Sequence, residues 1–122
     1  MKNADVRILV VDDEPAICEV LQASLRDDEF NVKVASSGVE ALKTYASFQP
    51  HIVLLDVWMP GDLDGVDVLK DIKSKSKSAH VIMMSGHGMV EHAVEATRLG
   101  AYDFLEKPLT LGKLLLMIER AL

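Results

Sequence analysis

The segment Ile8-Leu9-Val10-Val11-Asp12-Asp13 is the clearest indication of the fold class of this chain of 122 residues. Four consecutive apolar residues that stop at a pair of acids are typical of a central strand in a parallel sheet, because such a strand is buried on both faces. A second run, Ile52-Val53-Leu54-Leu55, stops at Asp56 in the same way. Ligands of open parallel sheets bind beyond the carboxyl ends of the strands, so we expect these three acids to share one cleft.

Strand and helix patterns alternate five times along the chain. The strand patterns fall at Val6–Val11, Val32–Ala35, His51–Leu55, His80–Met84 and Tyr102–Leu105. A 3.6-residue period marks helices around Ile17–Leu25, Val39–Ala46, Val66–Ile72, Val90–Thr97 and Leu111–Ile118. Repeated β-α units with short connections predict an α/β fold, namely a doubly wound five-stranded parallel sheet with helices on both faces.

Two helices carry more detailed predictions. The stripe of the first helix that we expect to face the sheet consists of Ile17, Val20, Leu21, Ser24 and Leu25. Cys18 lies beside this stripe, which predicts a half-buried structural thiol. Gly100 follows the fourth helical pattern and is expected to end that helix as its C-cap.

Composition excludes several classes of protein. The net charge of −6 argues against direct binding of nucleic acid, because phosphate contacts need clustered Lys and Arg. A single cysteine excludes an internal disulfide and suits a reducing compartment. No apolar run approaches the roughly 20 residues that span a bilayer, and the polar start does not resemble a secretory signal. We therefore expect one globular domain in the cytoplasm, with no nucleic-acid or membrane partner.

A lysine completes the charged set. Lys107 follows the last strand pattern, and its ammonium offsets one of the three carboxylates, which leaves a charge of about −2 that a divalent cation would cancel. Mg²⁺ suits a hard oxygen site that keeps open positions for water and phosphate. We expect the metal on Asp12 or Asp13 and on Asp56. The backbone carbonyl of Trp58, just past Asp56, is the expected further oxygen ligand.

Asp56 is the candidate nucleophile, because carboxylates form acyl phosphates. Mg²⁺ and the Lys107 ammonium would offset the charge on the transferred phosphoryl group. Each aspartate alone is better interpreted as a turn or helix-cap residue. The whole set, together with Ser85 at the end of the fourth strand pattern, predicts a phosphorylation site.

These residues lie in motifs through which the chain resembles the receiver domain of a bacterial two-component response regulator over essentially all of residues 1–122. The motifs are Asp12-Asp13-Glu14-Pro15, Asp56 followed by Met59-Pro60 and Asp64-Gly65, Met84-Ser85-Gly86-His87-Gly88, and Gly100-Ala101-Tyr102-Asp103-Phe104-Leu105 before Lys107-Pro108. The resemblance implies a flavodoxin-like fold. It also implies a signalling module, not an enzyme, that assists its own phosphorylation and dephosphorylation.

The resemblance also implies a role for each residue of the site. Asp56 would accept phosphate from a sensor histidine kinase, while Asp12 and Asp13 would hold Mg²⁺. Ser85 would bind the phosphoryl oxygen and Lys107 would pair with it. Phe104 matches an aromatic residue that turns inward on activation. A hydroxyl can rotate toward a new acceptor, and an aromatic ring can then fill the space that the hydroxyl leaves. Two side chains that move in this way form an element with two states.

Two segments are most similar to receivers of the nitrogen-regulation class, Met83-Met84-Ser85-Gly86-His87-Gly88 and Asp56-Val57-Trp58-Met59-Pro60. In that class an ATPase and a helix-turn-helix domain usually follow. We therefore expect a piece of a longer regulator with a transcriptional output, although a stand-alone receiver that signals by docking stays open. We also expect a homodimer through the fourth helix, fifth strand and fifth helix. The loop from Pro60 to Asp64-Gly65 is one residue longer than the family pattern.

Three other classes of protein agree less well with the sequence. A phosphatase of the haloacid-dehalogenase type would need two aspartates one residue apart after the first strand, whereas Asp12 and Asp13 are adjacent. A Rossmann nucleotide-binding module would need a glycine-rich turn there, and the first glycine of the chain is Gly38. The third is a receiver that is never phosphorylated, which would have no need of the complete charged set.

Overall fold

The computed structural model describes residues 2–59, 61, 63–76, 78–86, 95–107 and 109–122. Within them one parallel sheet is formed by β1 (Arg7–Val11), β2 (Asn31–Ala35), β3 (Ile52–Asp56), β4 (His80–Ser85) and β5 (Asp103–Glu106). The strand order is β2-β1-β3-β4-β5. This is the flavodoxin-like order of a doubly wound sheet, so the predicted fold class is confirmed.

Helices cover both faces of the sheet. Their bounds are α1 (Pro15–Asp27), α2 (Gly38–Phe48), α3 (Gly65–Lys75) and α4 (Leu111–Ala121), and a 3-10 turn (Asn3–Asp5) precedes β1. Alternate residues of β1 point to the two faces: Ile8 packs with α1 and α4, whereas Leu9 packs with α2 and α3. In the part of the chain that is described, no helix is long and apolar enough to cross a membrane.

The predicted strand bounds agree with the observed ones to within one residue. Three observed strands, β3, β4 and β5, end one residue later than predicted, so that Asp56 and Ser85 are themselves the last residues of β3 and β4. The ladder continues past Asp56, because the Val57 N–H donates to the Met84 carbonyl at 2.9 Å. The candidate phosphoacceptor Asp56 therefore lies on a hydrogen-bonded strand, not in a turn.

The fourth predicted helix, Val90–Thr97, lies mostly outside the described residues. Residues 95–98 are helical. The helix ends as predicted at Gly100, whose φ is 102°. The Gly100 N–H donates to the Thr97 carbonyl at 3.1 Å and the Ala101 N–H donates to the Ala96 carbonyl at 2.9 Å, which is the hydrogen-bond pattern of a Schellman cap.

The predicted inner stripe of α1 is partly wrong. Val20 is 64% exposed, whereas Cys18, predicted to be half-buried, is only 7% exposed. The residues of α1 that are buried are Cys18, Leu21 and Leu25. The error has a physical reason, since the set 17, 20 and 24 has the same spacing as the set 18, 21 and 25. Only the position of the sheet decides which of these neighbouring stripes is covered.

Candidate functional site

An acidic cleft lies at the carboxyl end of the sheet. Asp12 directly follows β1 and is fully buried, Asp56 ends the adjacent strand β3 and is 4% exposed, and Asp13 is partly exposed. One carboxylate oxygen from each residue lies within 4.8 Å of the other two. The predicted convergence of the three acids is therefore observed, and it follows from the parallel register in which Val11 pairs with Leu55.

Lys107 reaches this cleft from the residue after β5. Its Nζ lies 2.8 Å from Asp12 Oδ2, 3.5 Å from Asp56 Oδ1 and 3.7 Å from Glu14 Oε1. Burial by itself lowers the pKa of Lys107. The hydrogen bond to Asp12 and the charges of Asp56 and Glu14 outweigh burial, so that the pKa is raised overall and Lys107 stays an ammonium.

Lys107 does not fully compensate the negative charge of the carboxylates in the cleft. The pKa of Asp56 is raised to about 7, first by burial and then by the charge of Asp12. Lys107 and the Trp58 N–H, which donates to Asp56 Oδ1 at 3.4 Å, act in the opposite direction but do not compensate. A carboxyl group whose pKa is raised this far above its ordinary value indicates a site where further positive charge is expected.

Local hydrogen bonds hold the acidic side chains in place. Asp12 Oδ1 accepts from the Glu14 N–H at 2.9 Å, and the Asp12 carbonyl accepts from the Cys18 thiol at 3.3 Å. Burial, followed by the charge of Asp12, raises the pKa of the Cys18 thiol. Cys18 is therefore a neutral structural donor beneath the cleft, in line with the predicted structural role.

Ser85 and Phe104 lie on the strands next to the cleft. Ser85 is 2% exposed, and its hydroxyl donates to the Gly86 carbonyl at 3.1 Å. The Ser85 carbonyl accepts from the Lys107 backbone N–H at 2.6 Å, which joins the ends of β4 and β5. Phe104 pairs in register with Met83 and packs, partly buried, against the core on the α2 and α3 side.

The cleft opens into a groove of about 890 Å³ between α1 and the segment that leads into α4. Asp56 and Lys107 are among its lining residues. The walls are largely apolar and include Ile17, Val20, Trp58, Leu109 and Leu111. The side chains of Val20, Trp58 and Leu111 are exposed, at 64%, 64% and 42%. The residue Val20, misassigned to the core from its spacing, is thus a wall of this groove.

Three contributions to the site were not predicted. The carboxylate of Glu14 lies close to the ammonium of Lys107. Gly38 and Gly65 allow close contacts with the loop after β3. Glu14 stands next to the acidic pair in sequence, which was the available signal. Nothing in the sequence near Gly38 indicates that it lies close to a loop 25 positions away.

Comparison with known proteins covers nearly the whole chain. A sequence model of the response regulator receiver domain matches residues 8–119. The nitrogen assimilation regulatory protein NtrX of Azorhizobium caulinodans is 41% identical over 116 residues, which are 94% of this chain and 26% of that protein. The transcriptional regulatory protein ZraR of Escherichia coli strain K12 is 41% identical over 122 residues, which are 100% of this chain and 27% of that protein.

Solved structures agree with the sequence relatives. The receiver domain of NtrX from Brucella abortus has a TM-score of 0.89 and 43% sequence identity, and the match covers 93% of this chain and 96% of that chain. The chain spans about a quarter of the length of the full-length NtrX and ZraR relatives. The matched residues include all four charged side chains of the cleft.

Proposed function

Because this chain belongs to the response regulator receiver domain family, we propose that it is a phosphorylation-dependent signalling switch with Asp56 as its phosphoacceptor. The similarity to regulators of the nitrogen class, predicted from two motifs, is confirmed by the NtrX relatives. Family membership also decides against the haloacid-dehalogenase and Rossmann alternatives.

The observation that carries the proposal is a cluster of three carboxylates with oxygens within 4.8 Å of one another, two of which, Asp12 and Asp56, contact Lys107. The proposed donor is a phosphorylated histidine of a sensor kinase. An Asp56 oxygen bonds to phosphorus while the P–N bond to the imidazole breaks, and the electron pair leaves on the imidazole nitrogen. Lys107, whose Nζ lies 3.5 Å from Asp56 Oδ1, would pair with the transferred group.

The donor set fits a hard divalent cation. Three acidic side chains against one ammonium leave a charge of about −2, and carboxylate and carbonyl oxygens are the ligands that Mg²⁺ prefers. Asp12, Asp13, Asp56 and the backbone carbonyl of Trp58 would hold the ion. When bound, Mg²⁺ would supply positive charge that favours ionised Asp56 and offsets charge on the phosphoryl group.

Access to Asp56 supports a helical protein donor. The groove beside the cleft has largely apolar walls and is also lined by Asp56 and Lys107. A partner that carries a histidine on an amphipathic helix would bury its apolar face against Val20 and Leu111 while its imidazole reaches Asp56. This fit favours a sensor histidine kinase over a small metabolite as the physiological donor.

The proposed switch consists of Ser85 and Phe104. Phosphorylation adds about −1.5 to −2 units of charge and three acceptor oxygens. The Ser85 hydroxyl, which donates to the Gly86 carbonyl, would turn toward those oxygens. The Phe104 ring, now partly buried, would then move into the vacated space and change the surface around β5.

The output of the switch is part of the proposal. An ATPase and a helix-turn-helix domain in the longer protein would read the changed surface and regulate transcription. A homodimer through the fourth predicted helix, β5 and α4 is one way to transmit the change, although residues 87–94 of that face lie outside the described residues. A cytoplasmic location belongs to the same proposal.

Intact-protein mass spectrometry tests the central claim. Incubation with acetyl phosphate and Mg²⁺ should add one phosphate to the wild type and none to Asp56→Asn, and EDTA should abolish the addition. An Asp27→Asn variant, altered at an exposed acid of α1, should be phosphorylated like the wild type. Absence of added mass under every condition would refute phosphorylation and favour a receiver that acts by protein contacts alone.

A further inference from the structure

The start of α2 contacts the loop between β3 and α3 without an intervening side chain. Gly38 is the first residue of α2 and is buried. A Cβ at this position would lie 2.6 Å from the backbone oxygen of Leu63, 2.7 Å from the Leu63 Cβ and 3.1 Å from a methyl carbon of Val68. Because the nearest of these atoms is a backbone oxygen, which cannot rotate away, the contact requires glycine.

A second glycine closes the far end of the same loop. Gly65 begins α3, and a Cβ there would overlap the carbonyl oxygen of Asp56. The Gly65 N–H donates to the Val57 carbonyl at 3.1 Å. Asp64 and Asp67 form a capping box that holds the first turn of α3. The end of the loop is therefore held directly against the backbone of the candidate phosphoacceptor.

Leu63 connects this loop to α2. It is the last of the three residues between Pro60 and Asp64. Its side chain is partly buried against the core on the α2 and α3 side. The same loop begins next to Asp56 with Trp58, whose N–H donates to the Asp56 carboxylate. One short segment thus joins the acidic cleft to the residue that packs on α2.

We propose that Gly38 is a positioning residue for the cation site. The space left by its missing side chain seats Leu63, and this contact sets the position of the Trp58 backbone next to Asp56. The inference rests on the proposed function, because it concerns the same Mg²⁺ site. Gly38 contacts neither the ion nor the phosphoryl group. A side chain at Gly38 displaces Leu63 and the loop, while the two carboxylates after β1 keep their places.

Magnesium titration of Gly38→Ala tests this inference without any phosphorylation. Trp58 is the single tryptophan of the chain, so its emission during a titration with MgCl₂ reports on the loop itself. We expect the dissociation constant for Mg²⁺ to rise by about tenfold or more, the size of effect found when residues that orient metal ligands are changed. Urea unfolding of the same samples separates this effect from a loss of stability.

Two further variants make the test specific. Gly112→Ala is the matched control, because a Cβ at Gly112 in α4 meets nothing within 4 Å, and it should bind Mg²⁺ like the wild type. Leu63→Gly removes the side chain that seats on Gly38 while every glycine stays in place. It should also weaken Mg²⁺ binding, and it tests the inference even if Gly38→Ala does not fold.

The outcomes separate this inference from the proposed function. Equal Mg²⁺ affinity in the wild type, Gly38→Ala and Leu63→Gly would overturn the positioning role alone. Reduced stability with an unchanged dissociation constant would overturn it as well, and would leave Gly38 as a packing residue. If MgCl₂ changed neither the emission nor the melting temperature of the wild type, the magnesium assignment would be wrong, and the inference with it.

Discussion

The two ends of the sheet differ in how far their charged side chains are compensated by neighbouring groups. At the carboxyl end three carboxylates face one ammonium, and the pKa of Asp56 is raised to about 7 by burial and then by Asp12. At the amino end Arg7 is a single cation, and its Nε donates to the carbonyls of Phe48 and Gln49, both at 3.0 Å. Those carbonyls end α2, so a cation there also complements the helix dipole.

At the amino end, hydrogen bonds with neighbouring groups hold Arg7 and His51 in place. His51 Nδ1 accepts from the Arg7 N–H at 3.0 Å, and the His51 N–H donates to the Arg7 carbonyl at 2.8 Å. Backbone groups pair with Arg7 Nε and His51 Nδ1, whereas at the carboxyl end Lys107 does not compensate the effects of burial and of Asp12 on Asp56. One end of the strands therefore provides stability, while the other keeps the uncompensated charge on which the proposed phosphorylation switch depends.

Removal of one charge from the carboxyl end should stabilise the metal-free protein. The folded pKa of Asp56, about 7, lies above its ordinary value of 3.8, so the fold favours the protonated form. The stabilisation that protonated Asp56 gives to the fold is fully present below about pH 4 and is lost as the pH rises through about 7. In EDTA near pH 8, Asp56→Asn should therefore raise the free energy of unfolding by roughly 1–4 kcal/mol. Urea denaturation measures the difference.

Asp5→Asn is the control for this prediction, because Asp5 is exposed in the turn before β1. Its free energy of unfolding should stay within about 0.5 kcal/mol of the wild type. The advantage of Asp56→Asn should shrink as the pH falls toward about 4. An Asp56→Asn protein that is less stable than the wild type near pH 8 would show that the fold already compensates this carboxylate.

Disruption of the amino end should cost stability and leave the chemistry intact. Arg7→Gln removes the charged donor to the Phe48 and Gln49 carbonyls, which should lower the free energy of unfolding by roughly 1–3 kcal/mol. Phosphorylation of the folded variant by acetyl phosphate should proceed as in the wild type. Arg120→Gln, altered at an exposed position of α4, is the matched control and should change neither quantity. A slower phosphorylation of Arg7→Gln would mean that the two ends are coupled.

The smallest expected effect is a pH dependence of the opposite sign. Burial, followed by the charge of Arg7, lowers the pKa of His51 below its ordinary 6.5. The stability that the neutral ring contributes is therefore present above pH 6.5 and is lost as the pH falls below that value. Urea denaturation in the Asp56→Asn background isolates this effect, and His51→Gln, which keeps an acceptor without a titrating ring, should flatten it. An unchanged slope would exclude His51 as its source.

The position of the charged cleft was predictable because strand ends are a local signal. Asp12, Asp56 and Lys107 each follow a short apolar run, and the carboxyl ends of parallel strands meet at one edge of the sheet. The strand bounds and the cap at Gly100 also depend on neighbours within a few residues, so the sequence predicted them to within about one position. Ser85 was placed at the same edge by the same reasoning.

The succession of strands and helices along the chain, and the four charged residues at the strand ends, could thus be predicted from the sequence. Three features required the folded structure: Cys18, not Val20, faces the core, Leu63 packs on Gly38, and burial raises the pKa of Asp56 to about 7. The reason is physical, since hydrophobic periodicity acts over one or two turns of a helix. Burial, close packing and the sum of several charges depend on residues that are distant in the chain and meet only when it folds.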